Sequence, residues 1–257
     1  MKSIVAAALL AVVGVFASLP AWAGDLGVVL MHGKWGMTKP DNALGKLAAR
    51  LEAKGIAVVT PEMPWSAKRN LEQGYEESMA EIDKAVADLK AQGASRIVVA
   101  GQSMGSNAAL GYAARRDGLA GVMVLSPGHV PDLWGQKFAG DLAKARKMIA
   151  DGKGAERSTF NDFNQGTGKE IEASAEDYLS WFDPDGPAVF PKNAKAIHAP
   201  LLWLVGSDDF IAGKGEAYAY ADAPANPRNE YVVIDGANHG NAPIKGVKAV
   251  IKWLKRL

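Results

Sequence analysis

The 257-residue chain contains no cysteine and only four histidines, and neither its basic nor its acidic residues gather into a run. Without cysteine, a disulfide framework and a thiol nucleophile are both excluded. The absence suits an oxidising compartment. Lys and Arg number 29 against 28 Asp and Glu, so the chain lacks the basic stripe that nucleic acid demands, and no nucleic-acid partner is expected. There is no internal repeat and no low-complexity linker. With 48% apolar and 22% charged residues, the composition is that of a single domain with a real core.

The one long apolar run comes first. Lys2 precedes an unbroken apolar stretch from Ile4 to Leu19, followed by Pro20 and the small-residue pattern Ala21-Trp22-Ala23. This is the layout of a cleavable secretory signal. Residues 1–23 are therefore expected to be removed behind Ala23, leaving an exported domain over 24–257, periplasmic or secreted, with no stable membrane insertion. The alternative is a retained anchor, because the run is roughly long enough for a ~30 Å hydrocarbon core.

From Gly27 onward, short β-branched runs alternate with longer amphipathic stretches, which predicts βαβ units and a parallel sheet. The expected strands are Val28 to Met31, Ile56 to Thr60, Arg96 to Ala100, Gly121 to Leu125, Leu201 to Val205 and Tyr231 to Ile234. Most are continuously apolar, as strands covered on both faces should be. Leu44, Leu47, Ala48 and Leu51 recur at helical spacing behind a capping Asp41, with Gly55 where the chain turns back. Met79, Ile82, Val86 and Leu89 do the same before Gly93, and Val247, Val250, Ile251 and Leu254 mark a terminal helix. The rhythm fails between Pro127 and Pro200, so an insertion at about 127–199 is expected to form a cap over the carboxyl edge of the sheet.

Gly101-Gln102-Ser103-Met104-Gly105 follows one of these strands and opens a small-residue helix. A strand that turns at once into a helix forces its tip residue into a strained backbone, and the flanking glycines remove side chains that would collide there. Ser103 is thereby a nucleophile held out at the sheet edge, and the amide of Met104 points toward an oxyanion beside it. A hydroxyl needs a base. His239 lies in a Gly-flanked loop after the last strand, at the same edge, with His129 in reserve; His198 falls at the opposite edge. The base needs a carboxylate behind it, and Asp208 or Asp209, after the strand ending at Val205, can supply one. After the first strand, His32-Gly33-Lys34-Trp35-Gly36 offers a second oxyanion donor in the Lys34 amide, with His32 bracing the loop by hydrogen bonds.

Taken together, His-Gly-x-x-Gly, G-x-S-x-G, a late Asp and a final His stand in an order that resembles the α/β-hydrolase family, from Leu26 to Leu254. The resemblance implies that Asp209, three positions after Gly206, is the acid, and that the oxyanion amides are those of Lys34 and Met104. Gln102 stands where many lipases and esterases have histidine, and Ser106 replaces a frequent glycine. The expected activity is cleavage of small-molecule carboxylic esters, with thioesters or amides behind them, through an acyl-enzyme on Ser103 and without metal or organic cofactor. Acyl transfer would use the same triad, and a non-catalytic binding protein would need a sealed cap or Trp35 filling the space beside Ser103. The insertion aromatics Trp134, Phe138, Phe160, Phe163, Tyr178, Trp181 and Phe182 are expected to form more of its own core than of a substrate wall.

Overall fold

Six parallel strands make the central sheet of the computed structural model, which describes residues 24–257. The secretory signal expected over 1–23 lies outside the described residues. In chain order the elements are β1 (Leu26–Met31), α1 (Ala43–Glu52), β2 (Ala57–Val59), α2 (Tyr75–Ala91), β3 (Arg96–Ser103), α3 (Met104–Ala113) and β4 (Gly121–Pro127). After β4 the chain leaves the sheet for α4 (Ala139–Ala150), an antiparallel hairpin of β5 (Arg157–Asn164) and β6 (Thr167–Ser174), α5 (Ala175–Phe182) and α6 (Phe190–Ala196). It returns as β7 (Leu201–Gly206) and β8 (Glu230–Ile234), then closes with α7 (Ala242–Lys245) and α8 (Val247–Leu254). The spatial order is β2-β1-β3-β4-β7-β8.

The continuous apolar strands explain the layering. Successive side chains point to opposite faces of a sheet. Val29, Met31, Ile97, Val99, Val122, Val124 and Trp203 enter one core with α2, α3 and the insertion. Val28, Leu30, Val98, Ala100, Met123, Leu125 and Leu204 enter a second core with α1 and α8. Leu47 in α1 and Trp253 in α8 are fully buried in that second core, and truncating such a leucine to alanine costs about 2–5 kcal/mol.

All six expected strands form, with ends that coincide or differ by up to three residues. The cap of α1 is a correction. Asn42, not Asp41, is the N-cap; its extended backbone lets its side chain accept from the amide of Gly45, because the helix starts one residue later than the pattern suggested. Gly55 and Gly93 adopt positive φ where the chain turns back, as expected. The hairpin β5–β6 was not expected at all. No helix among the described residues is long and apolar enough to cross a membrane.

Candidate active site

Ser103 ends β3 with φ 55° and ψ −122°, a conformation that side chains rarely adopt. Two glycines make it possible. A Cβ on Gly101 would lie 2.2 Å from the backbone of Gly105, and one on Gly105 would lie 2.6 Å from the carbonyl oxygens of Met31 and His32. The bulge between Gln102 and Ser103 lifts the serine off the β4 register. Ser106 fills the position of the frequent glycine with a bond of its own, its hydroxyl donating to the Ser103 carbonyl at 2.6 Å.

His239 sits in the loop after β8, 12% exposed, with Nδ1 2.9 Å from Asp209 Oδ2. A carboxylate there accepts, so Nδ1 carries the proton and Nε2 is left with its lone pair. The Asp209 side chain is fully buried, whereas Asp208 is exposed and, among the described residues, its carboxylate accepts only from Ser207 Oγ. Gly206 lets this loop close, since a Cβ on it would lie 2.1 Å from the Ala237 carbonyl oxygen. Gln102, unremarkable in the sequence, ties the elbow to the histidine loop by donating from Nε2 to the carbonyl oxygen of His239 at 2.8 Å.

The serine and the histidine meet at Gly128. A Cβ there would stand 2.6 Å from Ser103 Oγ and 3.2 Å from His239 Cε1. No direct hydrogen bond joins the two side chains; they flank one point. Sequence reading missed Gly128, although its place immediately beyond β4 put it at the same edge as the rest.

On the other side of Ser103, Gly33 approaches so closely that a Cβ would lie 3.0 Å from the serine Cβ. The amide of Lys34 donates to nothing among the described residues, while the next amides are spent, Trp35 on the Trp65 carbonyl at 2.8 Å and Gly36 on that of Gly33 at 3.1 Å. Met104 is the first residue of α3, where amides have no intrahelical partner. His32 braces the loop as expected: its Nε2 accepts from the Met63 amide at 3.0 Å, its Nδ1 bonds the Gly33 carbonyl at 2.8 Å, and burial lowers its pKa.

The two remaining histidines are placed differently. His198 is exposed ahead of β7. His129 lines the cavity, but its Nε2 is spent on the Trp181 carbonyl at 2.9 Å, and burial, reinforced by the Lys34 charge, holds its pKa well below the ordinary value. Among the described residues no three His, Asp or Glu side chains gather where a metal ion could sit.

Ser103 and His239 open onto two adjoining cavities. The larger, about 480 Å³, is walled by Val130, Leu133, Trp134, Phe163, Phe210 and Ile211, with lysines 34, 137 and 214 as its charged side chains. The smaller, about 230 Å³, is more polar and includes Gly36, Asn42, Gln102 and Gly240. Trp35 belongs to neither wall. Of the insertion aromatics, Trp134 and Phe163 face the large cavity. Phe160, Tyr178 and Phe182 stack on one another at 4.3 and 4.2 Å between centroids and are buried, as are Phe138 and Trp181.

Lys34 carries more than an amide. Its side chain is 4% exposed and its ammonium is ion-paired with Asp162 of β5, itself 1% exposed. Burial pushes the ammonium pKa down and the Asp162 carboxylate pushes it back. Neither the pair nor the hairpin that supplies it was legible in the sequence.

The alpha/beta hydrolase family model matches residues 28–249, and the chain belongs to that family. A comparison with curated proteins gave no match. Among solved structures the chain is similar to a monoacylglycerol lipase from Paleococcus ferrophilus, at 22% identity over 89% of this chain and 93% of that one, with a TM-score of 0.65. It is also similar to Est1E from Butyrivibrio proteoclasticus with ferulic acid bound, at 16% identity over 93% and 92% with a TM-score of 0.64. The siderophore hydrolase EstB from Aspergillus fumigatus shows 15% identity over 90% of each chain, with a TM-score of 0.63. At these identities the likeness is one of fold.

Proposed function

We propose that this chain is a serine hydrolase of small-molecule carboxylic esters. The observation that carries the reading is the buried Asp209 carboxylate 2.9 Å from His239 Nδ1, with Ser103 held beside the same imidazole on a strained elbow. His239 Nε2 takes the hydroxyl proton as Ser103 Oγ bonds to the ester carbonyl carbon, and the amides of Lys34 and Met104 receive the oxyanion. The imidazolium returns that proton to the leaving alcohol as the ester C–O bond breaks. Water, deprotonated by the same His239, then attacks the acyl-enzyme and frees Ser103. Asp209 holds the tautomer and stabilises the imidazolium without taking its proton.

The apolar wall of the larger cavity suits an acyl or alkyl group of moderate size, since small-molecule sites commonly occupy about 300–1,000 Å³. The lipase and the siderophore hydrolase of the same fold support a hydrolytic reading. The N-terminal sequence supports export, with the enzyme working in the periplasm or the medium after removal of residues 1–23.

A fluorophosphonate probe and aryl esters of graded acyl length, applied to the protein over 24–257 and to its Ser103→Ala variant, test the reading. Labelling and cleavage that both vanish in the variant are the expected result; a folded wild type that neither labels nor cleaves would contradict it.

A further inference from the structure

The hairpin β5–β6 grips Lys34 at both ends. Asp162 holds its ammonium, which also donates to the Phe163 carbonyl at 3.3 Å, and Asn164 Nδ2 donates to the Lys34 carbonyl oxygen at 3.1 Å. Between these fixed groups lies the unspent amide of the same residue. The hairpin tip is also where the two cavities join, because Asn164 and Gln165 border both, together with Lys34, Ser103 and His239.

Such a pair is an odd way to stabilise a cap. Taking two charges out of water costs more than filling the same space with apolar side chains, and Trp134 and Phe182 already surround the ammonium at 5.5 and 5.0 Å from their ring centroids. What a directional pair adds is a fixed position for the residue that bears it. The hairpin itself is anchored elsewhere. Tyr178 donates to the Asn161 carbonyl at 2.9 Å and Lys169 to Asn70 Oδ1 at 2.7 Å, so the tip is a braced arm.

We propose that Asp162 and Asn164 are positioning residues for the oxyanion hole: by holding Lys34 through its side chain and its carbonyl, the hairpin aims the Lys34 amide at the oxygen that develops beside Ser103. The proposal rests on the ester-hydrolase reading above. Neither side chain hydrogen-bonds Ser103 or His239. Each acts through Lys34, and the inserted segment thereby completes the catalytic machinery as well as walling the substrate cavity.

The test is steady-state kinetics on an aryl ester and on its thiono analogue, whose C=S sulfur is a poor acceptor, for the wild type, Asn164→Ala and Asp162→Asn. Asn164→Ala is expected to lower kcat on the oxygen ester about 10-fold or more with KM within about twofold, since outright loss of one oxyanion donor costs about 100- to 1,000-fold. The rate ratio of oxygen ester to thiono ester falls with it, which a merely structural lesion would not produce. Asp162→Asn goes the same way; if it does not fold, Asn164→Ala, on the half-buried tip, decides alone. Wild-type kcat and an unchanged ratio in folded Asn164→Ala would overturn the proposal while leaving the ester-hydrolase reading intact. A wild type that cleaves no ester would overturn both.

Discussion

The carboxyl edge of the sheet and the segment inserted between β4 and β7 line one cavity, yet they fix their side chains by different means. At the edge, close-packed backbone sets the frame and a few side-chain bonds finish it: Ser103 is held by glycines that admit no Cβ, and His239 by a loop packed against Gly206 with Asp209 and Gln102 bonded to it. In the insertion, side chains do it, through an aromatic stack, the Lys34–Asp162 pair and the amide of Asn107, which donates to the carbonyl oxygens of His129 at 2.8 Å and Ala188 at 2.6 Å. Backbone-imposed geometry is all-or-none, whereas side-chain packing degrades in steps. That difference suits a fixed reaction centre beside a wall on which substrate choice can vary.

The comparison breaks most readily at the edge. Asp209→Asn should lower kcat by about four orders of magnitude, because the wrong tautomer is then held, while Asp208→Asn stays within a few-fold of wild type in the same ester assay. Equal losses would mean that the two aspartates share the role. Next comes Gly128→Ala, whose methyl would occupy the point between Ser103 Oγ and His239 Cε1. A loss of about 100-fold in kcat is expected, with a melting temperature near that of wild type, because a displacement of an ångström is enough for such a loss. Wild-type turnover would show that the elbow can yield.

Two buried histidines, His32 in the loop after β1 and His129 in the insertion, should make stability depend on pH. His32 and His129 both have pKa values lowered by burial, that of His129 well below the ordinary 6.5. The unfolded chain therefore takes up protons first as pH falls through about 6.5, so stability is complete above that pH and declines below it toward the folded pKa values. Thermal melts from pH 7.5 to 5 should show this decline, and His129→Gln should flatten it; an unchanged slope would place the linkage elsewhere. The smallest effect belongs to Ser174, the N-cap of α5, whose hydroxyl accepts from the Asp177 amide at 3.0 Å. Ser174→Ala should cost about 1 kcal/mol, seen as a melting temperature lower by about 2–4 °C, with kcat unchanged.

The same division governs what the sequence revealed. Backbone constraints leave local traces: continuous apolar runs for β1, β3, β4 and β7, and paired glycines around Ser103. The edge was therefore legible to within a few residues. Asp209 over Asp208 came from family resemblance, since a tip residue and its neighbour look alike until one is seen to turn inward. The hairpin left no apolar trace: burial alternates, with Phe160 and Asp162 inward on β5 and Ile171 and Ala173 inward on β6, but one of those four positions is a charged aspartate and most of the remaining run is polar. A buried aspartate reads as a surface residue when its partner, Lys34, is 128 positions away. Gly128 did have a signal: it stands just beyond β4, as Lys34, Met104, Asp209 and His239 stand just beyond β1, β3, β7 and β8.

The central claim is that Ser103 carries the acyl group. Mixing the protein with an aryl ester, quenching in acid within the first turnovers and mapping the modified peptide by mass spectrometry tests it directly. The account predicts an acyl adduct on Ser103 that is absent in Ser103→Ala. An adduct on another residue, or turnover in Ser103→Ala at the wild-type rate, would contradict it.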